Sequence, residues 1–245
     1  MRTKNKIRAG LSACGLERAA LAVLPAVKRG VWCMRAACGA ERRMTRRYLA
    51  AAPSPRLHLG CGQHMLPGWL NADLYPLDGG VLHVDAARRF PFRPATFDRI
   101  YSEHLIEHLT YTQGRMMLEE CFRVLKPGGR IRISTPDLRF LTDLLLHERT
   151  DLQERYVAWM SRLAESDAAP NGVVVLNHFV RSWGHRFIYD GAMLSEALSL
   201  AGFSEIVRCE VGRSADTVFQ GLENEARMPE GFLRLESMVF EAQRA

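Results

Sequence analysis

At 245 residues, 47% apolar and 24% charged, the chain has the makeup of a soluble globular protein with one large domain, or one domain and an appendage. No apolar run approaches the ~18 residues of a membrane span, and the longest, at 19–27, follows Glu17 and Arg18, which argues against a signal peptide. Thirteen Lys/Arg against two Glu give residues 1–56 a charge of +11, so the overall +6 leaves −5 for residues 57–245, which does not indicate a basic body face suited to nucleic acid.

The basic stretch is an N-terminal arm, residues 1–55, closed by AAAPSPR at 50–56, where Pro53 and Pro55 prevent a continuing helix. Its Lys/Arg alternate with Leu, Val and Trp. That leaves open a solvated, partly helical tail or peripheral contact with an anionic inner-membrane surface, with nucleic-acid contact and a targeting sequence behind them. Six cysteines, at 14, 33, 38, 61, 121 and 209, show no paired spacing, as expected of reduced thiols in a cytoplasmic protein.

From 56 onward the spacing predicts strands at 56–60, 70–74, 81–85, 98–102 and 130–135. A helix is expected over 112–125, from Leu118, Cys121, Phe122 and Leu125, with Lys126-Pro127-Gly128-Gly129 capping it and turning into the next strand. Helices at 137–148 and 151–164 follow. After them NHFVRSWGHRFIYD (177–190) reads as an aromatic-rich loop, and Asp190 caps a helix at 191–201. Strands at 203–211 and 236–243, joined by a polar segment, make an antiparallel return at or near a sheet edge. The alternation predicts a doubly wound, mostly parallel sheet covered on both faces, with ligands beyond the strands' carboxyl ends.

Four stretches fall at that rim: Gly60-Cys61-Gly62, Asp73, Asp85 and Tyr101-Ser102-Glu103-His104. Only ten residues separate Gly62 from Asp73, too few for the full helix of a dinucleotide site. His104-Leu-Ile-Glu107-His108 spells H-x-x-E-H, the inverted zinc-protease motif, but without the scaffold or distant carboxylate ligand that reading needs.

Taken together, LHLGCG, NADLY, VDAARRFPFRPATFDRIYSEHLIEHL and ECFRVLKPGGRIRISTP resemble, in order and spacing over about residues 56–136, the class I S-adenosylmethionine-dependent methyltransferases. The compact LGCG…PGWLNAD form is similar to a methyltransferase type 11-like branch associated with sugar and cell-surface polysaccharide biosynthesis. The resemblance implies a Rossmann-like seven-stranded α/β sheet over 56–245 with an antiparallel last strand and a shortened first crossover helix, about one turn around Pro67-Gly68. It implies S-adenosyl-L-methionine as cofactor, with Gly60, Cys61 and Gly62 against its methionine part, Asp73 and Leu74 at the ribose, Asp85 and Ala86 at adenine, and Ser102 at the methyl end. A cofactor without phosphate does not need a helix N-terminus, so the short crossover does not abolish binding.

The activity so implied is methyl transfer to a small-molecule or glycan acceptor. The absence of an Asn/Asp-Pro-Pro-aromatic motif after the fourth strand tilts the acceptor atom toward oxygen. His104, His108 and His185 are the candidate bases, and His178, Arg186 and Tyr189 the candidate substrate contacts. Some quinone O-methyltransferases carry an acidic residue, two spacers and Glu-His here and bind a divalent metal. This chain has His104 in the first position, so no metal is assigned. The alternatives are a non-catalytic S-adenosylmethionine-binding scaffold and a metal-dependent quinone-type O-methyltransferase; no specific nucleic-acid partner is expected.

Overall fold

The computed structural model describes residues 39–245 apart from 77, 147, 165 and 166. Most of the predicted arm, including the 19–27 run and Cys14, Cys33 and Cys38, lies outside the described residues. The chain divides after Ala51 into two units. In the first, helix α1 (Ala40–Ala51) buries none of its residues and carries Arg42, Arg43, Arg46 and Arg47. No helix among the described residues is long and apolar enough to cross a membrane.

The second unit is built on seven strands: β1 (Arg56–Leu59), β2 (Leu70–Asp73), β3 (Leu82–His83), β4 (Phe97–Glu103), β5 (Leu125–Pro136), β6 (Ser204–Cys209) and β7 (Ser237–Gln243). They form one sheet in the order β3-β2-β1-β4-β5-β7-β6, parallel except for β7, which runs antiparallel between β5 and β6. The Rossmann-like α/β sheet with an antiparallel last strand is therefore present, with β6 rather than β7 at the edge.

Strand register sorts the side chains onto two faces, because successive residues alternate sides. One row, Leu57, Ile100, Ile131 and Ala242, is fully buried and apolar. The next row on the opposite face, His58, Tyr101, Arg132 and Glu241, is also buried, but polar. Arg132 is saturated there: it donates to Glu223 (2.7 Å), Glu241 (2.5 Å) and the carbonyls of Arg213 and Glu210. It thereby ties the long β6–β7 connection onto the sheet.

The helices start where their caps dictate. Thr110 and Gln113 form a reciprocal capping box for α2 (Tyr111–Val124). After α3 (Leu138–Leu146), Thr150 and Gln153 do the same for α4 (Asp151–Leu163). Asp190 caps α6 (Gly191–Leu200) as expected, accepting from Met193 N–H at 2.8 Å.

Three expectations need correction. Residues 172–181, read in part as loop, form helix α5 (Gly172–Arg181), capped by Asn171 and burying Val175 and Phe179. Its Val173-Val174-Val175 run, of poor helix propensity, hides it, and packing against α3 and α4 overrides the propensity. Lys126-Pro127-Gly128-Gly129 is not a helix cap. The chain is already extended at Leu125, which pairs with Phe97, and the four residues bulge out before Arg130 pairs with Arg99. Lastly, the first crossover contains no helical turn, only the tight turns closed by His64 N–H to Cys61 O and Trp69 N–H to Leu66 O.

The short crossover is held by one buried side chain. Asn71 accepts from Leu66 N–H at 2.9 Å and donates to the carbonyls of Leu66 and Trp69. Over it, Leu66, Trp69, Tyr101 and Phe219 form a small apolar cluster. The β6–β7 connection, through Phe219, so covers sheet surface beside the missing crossover helix. Between β5 and α6, helices α3, α4 and α5 and the short α7 (Phe232–Glu236) make a second core around Phe140, Tyr156, Met160, Phe179 and Phe232.

Candidate active site

The candidate cofactor rim starts at the β1 turn. Gly60 and Gly62 have φ of +70° and +50°, a region that favours glycine, and a Cβ at Gly60 would meet the Leu105 side chain at 3.0 Å. Around Gly62 there is open space. Its N–H donates to Asp73 Oδ2 at 2.9 Å, while Tyr75 N–H donates to Oδ1 at 2.7 Å. The partly exposed Asp73 carboxylate keeps lone pairs for two more donors, the number a ribose diol offers. Leu74 and Tyr75 beside it are exposed, leaving an apolar surface next to that carboxylate.

Asp85 lies one short turn beyond β3; its Oδ1 accepts from Ala87 N–H, and Arg88 sits 3.0 Å from Oδ2, with Ala86 buried between. Ser102 is buried near the end of β4 with an unpartnered hydroxyl, a free polar atom at the rim. These residues fit S-adenosylmethionine: a glycine turn for close approach, a carboxylate with spare acceptor capacity, and an orphaned hydroxyl. Cys61 is not a nucleophile, because burial and then the Asp73 charge push its thiol up to about 12.

Leu105 packs on Gly60, and its chain neighbour His104 lines a pocket of about 330 Å³. His104, Glu107, His108 and His185 line it, together with Trp159, Trp183, Arg227 and Glu236. His104 adopts a left-handed backbone, φ +47°, which turns β4 sharply into the one-turn 3-10 helix Ile106–His108. Such strain costs on the order of 1–3 kcal/mol and persists where surroundings enforce it. Here His104 N–H donates to Ser134 O at 2.8 Å, and the ring is held on both sides. Its Nδ1 lies 3.1 Å from Glu107 Oε1, and its Nε2 faces Ser237 Oγ at 2.9 Å and the Arg227 guanidinium. Because a guanidinium only donates, Nε2 is the unprotonated nitrogen and Nδ1 carries the hydrogen toward Glu107.

Glu107 is completely buried and accepts from Thr135 Oγ1 at 3.1 Å. Burial opposes its ionisation, but His104 and His108 outweigh that and hold the carboxyl below its usual range. Burial also pushes the His185 imidazole down, against the pull of Glu107. Burial raises Glu236 above the ordinary carboxylate value, and it accepts from Tyr156 Oη.

Of the three histidines expected to do chemistry, the structure brings all of them to this pocket, His108 and His185 with ring centres 5.0 Å apart. The expected substrate contacts fare differently. Tyr189 is fully buried against Tyr111 and Phe187 and does not line the pocket. Arg186 reaches toward Gln113 on α2, and His178 hydrogen-bonds Ser182 and stacks edge-on against Trp183. Trp159, Met160, Phe179, Trp183, Arg227, Met228 and Glu236 were not foreseen as pocket residues. Only the aromatic density of 177–190 hinted at any of them.

Residues 71–133 match the profile of the family described as Methyltransferase domain. No curated protein matches the chain. Among solved structures, a methyltransferase dependent on S-adenosylmethionine from Archaeoglobus fulgidus is 14% identical, with 83% of this chain and 92% of that one covered and a TM-score of 0.46. One from Mesorhizobium loti is 16% identical, covering 81% and 96% at a TM-score of 0.46. A phosphoethanolamine N-methyltransferase from Haemonchus contortus is 14% identical, covering 84% and 52% at a TM-score of 0.41.

Proposed function

From a chain that carries the fold and signature of the class I S-adenosylmethionine-dependent methyltransferases, we propose methyl transfer to a hydroxyl group of a small molecule or glycan. The observation that carries it is the pocket whose histidine wall begins at His104, one residue before the Leu105 that packs on Gly60. When bound, S-adenosylmethionine supplies a methyl group on a cationic sulfur, activated without further chemistry from the protein.

The chain's own residues do the rest. Gly60, Gly62 and Asp73 bind and orient the cofactor, and the pocket positions the acceptor, which accounts for most of what a displacement of this kind requires. A hydroxyl also needs its proton removed. His104 is suited to that: Glu107 holds Nδ1, leaving Nε2 as the proton acceptor once the acceptor hydroxyl displaces Arg227. Trp159 and half-exposed Trp183 offer aromatic faces to the apolar side of a sugar ring, with Arg227 for its hydroxyls or an anionic substituent. Contact of the basic arm with an anionic membrane surface would suit a lipid-linked acceptor.

The test is incubation with methyl-labelled S-adenosylmethionine and a host glycan or lipid-linked sugar extract, with products read by mass spectrometry. Label is expected on oxygen, and His104→Ala is expected to lower kcat by about 10²–10⁴-fold, the range of a lost general base. Label on nitrogen, or His104→Ala turning over at the wild-type rate, would sink this assignment.

A further inference from the structure

The pocket wall holds a feature that a general base alone does not explain. Glu107 and His108 stand on the 3-10 turn, while His185 arrives from the loop after α5. The two segments are laced together, since Arg186 N–H and Phe187 N–H both donate to Glu107 O, at 2.8 and 3.2 Å. One donor atom from each of Glu107, His108 and His185 then lies within 4.8 Å of the other two. Bonds of ~2.1 Å to a common centre need donors roughly 3–4 Å apart, a modest inward adjustment of the side chains.

Two independent details point to a cation there. Glu107 is a fully buried carboxylate that pairs, among the described residues, with no Arg or Lys; it has only the His104 imidazole, 3.1 Å from Oε1, and the Thr135 hydroxyl at Oε2. A buried charge of this kind is costly unless a counter-charge is supplied. His185, for its part, is prepared as a ligand. Its Nδ1 is 2.7 Å from Phe179 O, and a carbonyl only accepts, so Nδ1 is protonated and Nε2 presents its lone pair. Fixing the second ring nitrogen to a backbone carbonyl is how metal-ligating histidines are commonly oriented.

We propose that Glu107, His108 and His185 hold a divalent transition-metal ion in the pocket wall, with open coordination positions toward the acceptor. Two imidazoles and one carboxylate suit Zn²⁺, Fe²⁺, Co²⁺ or Mn²⁺ better than Mg²⁺ or Ca²⁺, which prefer all-oxygen sets. Three protein donors leave room for an outside ligand, the pattern of catalytic rather than structural sites. The site's role deepens the O-methyltransferase reading and rests on it: an acceptor oxygen bound to the ion loses its proton more readily. This assigns a metal where the sequence led to none.

The test uses the full chain stripped with a chelator, then titrated with Zn²⁺ by calorimetry and with Co²⁺ by visible absorption. One equivalent is expected, with ligand-field bands for Co²⁺. His185→Ala and the shape-preserving Glu107→Gln are each expected to weaken binding by more than about 100-fold, beyond what losing a supporting contact costs. S-adenosylmethionine affinity, measured on the same variants, is expected to stay at the wild-type value, which reports folding and keeps the cofactor reading separate. Absence of stoichiometric metal in the wild type, or affinity unchanged in both variants, overturns the site.

Discussion

His58 shows how one buried residue sets a condition on the whole fold. It sits on β1 with 1% exposure, its ring 5.0 Å from Tyr101 and 6.1 Å from His64, and its Nδ1 lies 3.1 Å from Asn71 Oδ1. Burial, opposed by the Asn71 hydrogen bond, lowers its pKa from 6.5 to about 4. Between those values the unfolded chain binds a proton that the folded chain refuses, so stability falls as pH drops through 6.5 and levels off near 4. The full loss is about 3 kcal/mol. Denaturant titrations from pH 7.5 to 4.5 are expected to show His58→Gln with a flatter stability profile than wild type; parallel profiles would contradict this. Asn71, a single residue that fastens three backbone groups of the crossover, is the reason His58 has a fixed partner at all.

At the level of elements, the first crossover and the β6–β7 connection are complementary. A crossover of turns alone leaves sheet surface uncovered, and Phe219, reached through a connection anchored by Arg132–Glu223 and Arg99–Asp216, covers it against Trp69 and Tyr101. The same connection carries Arg227 and leads into Glu236, so the element that completes the core also completes the pocket. Phe219→Ala is expected to cost about 3–5 kcal/mol, the range for a fully buried aromatic. Chemical denaturation checks it; a loss below about 1 kcal/mol would mean that the connection is not part of the core.

Across the whole molecule, the rim proposed for the cofactor is legible in the sequence and the wall proposed for the acceptor is not, for a physical reason. Gly60, Gly62, Asp73, Asp85 and Ser102 each sit just at or after a strand end, so local pattern and strand order suffice to bring them to one edge. The wall draws on 104–108, 159–160, 179–185 and 227–236, stretches that only the helical insertion and the β6–β7 connection unite. Arg227 had no local signal, lying in a polar segment that reads as a link, and Tyr189 misled because an aromatic near charged residues looks like a ligand contact, although here it fills the core. The N-terminal arm's role depends on residues 1–38, outside those described. Everything proposed for the acceptor side presupposes the cofactor at the rim, and binding calorimetry with S-adenosylmethionine measures that most directly. Wild type is expected to bind one equivalent, and Asp73→Ala, which removes two charge-assisted hydrogen bonds to the ligand, to bind at least about 100-fold more weakly with an unchanged circular dichroism spectrum. No binding by the wild type, or equal affinity in Asp73→Ala, would contradict the account.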